Sequence, residues 1–278
     1  MNAERLKDCL NNCDDKLRQI VDTLNLYSSS LSLHNECINK IKEFEQIGNH
    51  LSSIATLIDA REDTRKLLEK LLSETNLSND IFEYYGTEIT FNNARLLWFQ
   101  AYLATTWAIC DSITSKISPF LCLESACKNL TSPPQLISHF IKENKSSSYY
   151  IGYFIKLNYG WFIGASYAIR NHFVHDGAFN YGKNFFKGTS LVDEFKISQD
   201  GWNFINQKIG GYNVNNDQHR LGLGFQWNYY QDDLLELLKT CNNEIDEALI
   251  CLLNWSVGIA NLQAQSLLAR DLPPSTSL

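Results

Sequence analysis

The first seventy-three residues hold apolar side chains at a spacing only a helix can use. Leu6, Cys9, Leu10, Cys13, Leu17, Ile20, Val21 and Leu24 form one stripe, and Ile38, Ile41, Phe44, Ile47, Leu51, Ile54 and Ile58 form a second that runs on to Leu67, Leu68 and Leu71. Steps of three and four keep a side chain on one face of a 3.6-residue turn, whereas a strand needs alternation. The polar link YSSSLSLHNE divides the two stripes. The pattern predicts helices over 4–26 and 36–73, joined as a hairpin that serves packing or presents a dimer or partner surface.

The same reading extends along the chain. Residues 94–117 are apolar around most of a helix, as expected of a core helix that ends before Pro119. PQLISHFIKEN follows the break at Ser132-Pro133-Pro134, and Pro134 is suited to a first turn. Residues 159–175 and 229–269 read as further helices. Phe195 to Ser198 and Trp202 to Ile205 alternate around Gln199-Asp200-Gly201, which predicts a small β-hairpin near 191–208. The Gly- and Asn-rich stretch 210–228 reads as loop, SETNLSND as a polar break, and 271–278 as a flexible tail. The expected organisation is a mainly α chain with an N-terminal helical extension (1–80), a helical domain (81–270) and the tail.

Composition limits the function classes. With 44% hydrophobic residues the 278-residue chain can bury a full core. A net charge of −7 argues against coating a polyanion through the overall field. The charge is uneven, however. Residues 142–187 hold Lys142, Lys145, Lys156, Arg170, Lys183 and Lys187 against only Glu143 and Asp176. This local basic segment is a candidate anion site. None of the eight cysteines pairs in CxxC spacing, so they are expected to be reduced, cytoplasmic and without a zinc site. The start of the chain lacks an apolar signal core. The uncharged run 248–269 is broken by Asn254, Asn261, Gln263 and Gln265, which suits a buried helix better than a membrane span.

Inside the basic segment lies RNHFVHDG, residues 170–177. Trp161, Ala165, Ile169 and Phe173 recur every fourth residue and should face the core. Arg170, Asn171 and His175 then fall in the last two turns of that helix. Asn171 and His175 lie about 40° apart on one stripe, while Arg170 and His175 are about 140° apart, an offset a long guanidinium side chain partly spans. Cations at a helix C-terminus also fit its dipole, and this purely structural role stays open.

Arg, a polar residue, then His after four intervening positions resembles the motif of the HEPN superfamily (higher eukaryotes and prokaryotes nucleotide-binding). There it sits near the end of a helix in an all-α bundle. The resemblance covers at least residues 94–177. It implies a metal-independent endoribonuclease of a toxin–antitoxin or antiviral-defence system, using no cofactor and no metal. The implied partners are RNA, a second copy in a homodimer, and an antitoxin or regulatory protein. The 2′-hydroxyl of RNA would attack the neighbouring phosphorus and leave a 2′,3′-cyclic phosphate. Arg170 is then the phosphate clamp, His175 the acid–base group and Asn171 the polar member. His172 and Asp111, the latter interrupting an apolar helix, are candidates for an auxiliary role. Lys142, Lys145, Lys156, Lys183 and Lys187 are candidates for RNA contact. Tyr149, Tyr150, Tyr153 and Tyr159 suit either base stacking or packing. Gly177 stands where some relatives carry a tyrosine linked to antitoxin modification. A non-catalytic HEPN-like nucleotide-binding or protein-interaction module is the alternative.

Overall fold

The computed structural model describes residues 2–28, 34–73, 81–84, 86–117, 133–142, 147–175, 196–210 and 233–270. Among them the fold is mainly α. The elements are α1 (Asn2–Ser28), α2 (His34–Ser73), β1 (Ile81–Tyr84), β2 (Thr87–Thr90), α3 (Phe91–Ser112), α4 (Pro133–Lys142), α5 (Ser147–His175), α6 (Gln199–Gly210) and α7 (Leu234–Arg270).

Helices α1 and α2 form the expected hairpin, with Lys7 bonded to Asp59 across it. Their apolar stripes are buried, from Leu6, Leu10 and Leu17 on one helix to Ile47, Ile54 and Ile58 on the other. The hairpin does not stand apart from the rest. One hydrophobic cluster runs from Leu6 to Leu267 and takes in α3, α5 and α7.

Helix α7 lies antiparallel to α2. Glu36 meets Arg270 at 3.5 Å, Arg61 meets Asp246 at 2.7 Å and Glu69 meets Lys239 at 2.6 Å. Thirty-three residues separate Glu36 from Glu69, so this register persists over roughly 50 Å of helix. By length and composition α7 is apolar enough to cross a membrane, yet 56% of its most apolar window is buried inside the fold.

The starts of α3 and α7 have local causes. Thr90 caps α3, its side chain accepting from the Asn93 N–H at 3.3 Å. The Asp233 carboxylate accepts from the Glu236 N–H at 3.1 Å and opens α7. Beyond Ser112 the backbone widens into one turn of π-helix, Ile113–Ile117.

The β-structure departs from expectation. No hairpin forms around Asp200-Gly201, because Gln199–Gly210 is helix α6. Ser198 is its cap, with the Gly201 N–H donating to Ser198 Oγ at 3.0 Å, and Asp200 lies in the first turn where the helix dipole favours an anion. The apparent alternation buries Ile197, Trp202 and Ile205 on one side of the entry to this helix. Lys196 pairs only as an isolated bridge with Asp233. The true hairpin precedes α3: Ile81 pairs with Thr90 and Tyr84 with Thr87, and Gly86 takes the left-handed φ of 76° that the turn requires. The stretches 211–228 and 271–278, read as loop and tail, lie outside the described residues, as do 191–195 and residues 229–232, read as the start of the last helix.

Candidate functional site

Helix α5 fixes the motif by burying one side. Trp161, Ala165, Ile169 and Phe173 are all at most 3% exposed, and Phe173 meets Phe99 of α3 edge to face at 4.9 Å. Neighbouring positions are thereby turned toward the flank. Arg170 and Asn171 are half-buried there, and Arg170 Nη1 donates to Asn171 Oδ1 at 3.1 Å.

The floor beneath Arg170 comes from α3. Trp107 is buried, its indole N–H donating to Ser166 Oγ at 3.1 Å while its ring packs against Tyr167 at 5.1 Å. The Arg170 guanidinium lies 5.9 Å from the centre of the Trp107 ring, within the range of cation–π attraction. Two hydrogen bonds and a tilted ring contact thus hold the seat of this cation.

Asp111 follows Trp107 by one helical turn. Burial pushes its carboxyl up to about 6, and the Arg170 charge opposes that rise. Its Oδ1 is buried and accepts no hydrogen bond from the described residues. The Asp111 backbone carbonyl accepts from Ser115 Oγ at the start of the π-turn, where Thr114 is also fully buried. A widened turn beside an ionisable core residue is a feature often found at functional positions. The site therefore joins a fixed guanidinium to a carboxyl that can exchange a proton near neutral pH.

The other predicted residues are distributed unevenly. His172 is 9% exposed, with its ring 4.9 Å from Phe204 of α6 and 5.2 Å from Phe173, which is a packing position. His175 is the last residue of α5, and its side chain lies outside the described residues. The same holds for the side chain of Lys142, the last residue of α4, and for Lys145, Lys183 and Lys187 entirely. Lys156 is half-buried at mid-helix.

Trp107, Ser166 and Tyr167 were not singled out from sequence. The Trp107–Asp111 spacing of one turn was the available signal. Among the described residues no cluster of three or more His, Cys, Asp or Glu is arranged to hold a metal ion. No protein-family model, curated protein or solved structure matches the chain.

Proposed function

We propose that the chain is a metal-independent endoribonuclease of HEPN type. The observation that supports this best is the seating of Arg170 over Trp107 beside the Asp111 carboxyl, on the helix that ends at His175. One N–H of Arg170 is used by Asn171, and the remaining donors of the guanidinium are suited to two phosphate oxygens at once.

The 2′-oxygen of the substrate attacks the adjacent phosphorus and its proton passes to a base. The bond to the 5′-oxygen breaks, and that oxygen takes a proton from an acid. Arg170 neutralises the extra charge on the phosphorane, and His175 transfers protons at the end of the helix. Asn171 keeps the guanidinium oriented. Asp111 adds a negative charge whose presence depends on pH near 6. Proton transfer by a positioned group contributes roughly 10²–10⁴ in rate. The buried thiols of Cys9, Cys13, Cys37, Cys110 and Cys241, none in a disulfide, favour a reducing compartment such as the cytoplasm. A toxin or antiviral-defence setting and a homodimer complete the reading.

The test is incubation of purified protein with tRNA and mRNA in EDTA. The wild type is expected to release fragments ending in 2′,3′-cyclic phosphate, and Arg170→Ala and His175→Ala are each expected to lose at least about 10²-fold in rate. Equal, undetectable cleavage by all three proteins removes the enzyme.

A second reading rests on a groove of about 720 Å³ between α1 and α2, lined by Leu10, Asp14, Arg18, Phe44 and Glu45 among others. It suits a protein-interaction module recruited through the N-terminal hairpin. Expression separates the two readings. A ribonuclease slows host growth and His175→Ala relieves it, whereas the module is harmless in both forms.

A further inference from the structure

Helix α5 runs for 29 residues without one Asp or Glu, in a chain that has 31 of them. Its first half presents aromatic and aliphatic side chains to solvent. Tyr150 is 77% exposed, Tyr153 and Phe154 are 46% exposed and Leu157 is 42% exposed. The rings of Tyr149 and Tyr153, one turn apart, stack at 5.8 Å with their planes inclined by only 13°. Lys156 follows within a turn.

Helical periodicity relates this surface to Arg170. Eighteen residues make five full turns, so Tyr149 shares its direction with Tyr167, and Tyr153 with Asn171, at about 27 Å along the axis. Tyr167 packs against Trp107, the floor of the Arg170 seat. The stacked tyrosines and Asn171, the hydrogen-bond partner of the guanidinium, therefore belong to one side of one helix that carries only positive charge, with Arg170 itself about 100° round the axis from Tyr153.

We propose that the stacked Tyr149–Tyr153 pair forms a platform for the unpaired bases of single-stranded RNA, flanking the phosphate held at Arg170. The inference deepens the nuclease reading and rests on it for the identity of the second contact. Aromatic faces accept any base, and a nearby lysine meets the backbone, so the platform tolerates sequence and responds to salt. The distance to Asn171 corresponds to about eight nucleotides at a stacked spacing of about 3.4 Å.

A second copy of the chain is the competing occupant, and area disfavours it. Side chains of this size bury about 200 Å² each, so the four exposed residues offer about 400 Å². A stable dimer buries about 800 Å² per partner. A base, by contrast, needs only one ring face.

The test uses a fluorescein-labelled 2′-O-methyl RNA, which has no free 2′-hydroxyl and reports binding without cleavage. A 12-mer and a 4-mer are titrated into the wild type, a Tyr149→Ala/Tyr153→Ala variant and a Tyr149→Phe/Tyr153→Phe variant, with circular dichroism to check folding. The alanine variant is expected to bind the 12-mer at least about 10-fold more weakly and the phenylalanine variant within about 2-fold of the wild type. Neither variant should change binding of the 4-mer. Unchanged 12-mer affinity in the folded alanine variant overturns the platform, as does a wild type that binds no 12-mer. If wild type still cleaves RNA in either case, the nuclease stands alone. If the variant loses binding while no form cleaves, the platform stands and the nuclease falls. A wild-type dimer that the alanine variant turns into a monomer of equal RNA affinity assigns the surface to contact between copies, and the platform is overturned.

Discussion

Arg61 and Asp246, 185 residues apart in sequence, meet in the core as a two-pronged ion pair with N–O distances of 2.8 and 2.7 Å, each side chain 1% exposed. Burial works to lower the Arg61 pKa, and Asp246 more than offsets it, so the guanidinium stays charged. Tyr102 of α3 is buried next to them and its hydroxyl is pushed up by that burial.

Breaking this pair on one side leaves a buried charge unmatched. Asp246→Leu or Arg61→Met is expected to lose about 3–5 kcal/mol of stability, whereas the double change Arg61→Met/Asp246→Leu costs far less. Urea titrations of the two singles and the double supply the cycle. Additive losses in the double variant contradict the pairing.

Asp111 makes stability depend on pH. Its carboxyl is raised to about 6 in the folded chain, above the unfolded value near 3.9. The folded state therefore holds the proton more tightly, and stability falls as pH climbs from about 4 through 6. After allowance for screening at a half-buried position, the penalty at pH 7.5 is about 1–2 kcal/mol. Asp111→Asn is expected to remove it, giving a variant more stable than wild type at pH 7.5 and equal to it at pH 4. Urea midpoints at those two pH values measure the difference. A slope unchanged by the substitution refutes this.

Arg170 opposes the rise at Asp111. Replacing it with Ala should move the carboxyl above 6 and deepen the loss of stability between pH 5 and 7.5. The double variant Arg170→Ala/Asp111→Asn should return to a flat profile. Carbon-13 NMR of the Asp111 carboxyl follows the same shift directly, and an unmoved titration in Arg170→Ala places the two groups out of electrostatic reach.

Two glycines offer a contrast in packing. A Cβ at Gly152 would lie 2.6 Å from Phe140 Cβ, part of the close approach of α4 to α5. Gly152→Ala is expected to destabilise by about 1–3 kcal/mol. A Cβ at Gly48 would meet only the Asp14 carboxylate oxygen at 2.8 Å, the end of a side chain already turned to Arg18 on the surface. There the gain in helix propensity, about 1 kcal/mol, outweighs a weakened surface ion pair worth about 0.3–0.5 kcal/mol. Thermal melts of the two variants should move in opposite directions.

The long helices were legible because their stripes are long. Leu6 to Leu24 and Ile38 to Leu71 repeat the period so often that little else fits. The motif's helix was also readable at its buried face, from Trp161 to Phe173, but the reading began it at 159 and the structure begins it at Ser147. Its first turns expose Tyr150 and Phe154, so no buried stripe announced them. The misplaced hairpin has a chemical cause. Ser198-Gln-Asp-Gly contains both a turn dipeptide and a helix cap, and the cap prevailed because Ile197, Trp202 and Ile205 all find the core. The true hairpin was signalled by Ile81-Phe82 and Ile89-Thr90 around Gly86, which the polar residues before it obscured. Trp107 under Arg170 was illegible, since two residues sixty-three positions apart leave no local periodicity.

The antiparallel register of α2 with α7 has a temporal consequence. During synthesis α2 leaves the ribosome nearly two hundred residues before the end of its partner, an interval of roughly 10–40 s at about 5–20 residues per second. Until then Arg61 lacks its Asp246 counterion, and the surfaces of α1 and α5 that α7 packs against are uncovered. A nascent chain of this design cannot close its core before the last turns of its final helix have emerged, so whatever the Arg170 seat does, it begins only after Arg270 has left the ribosome.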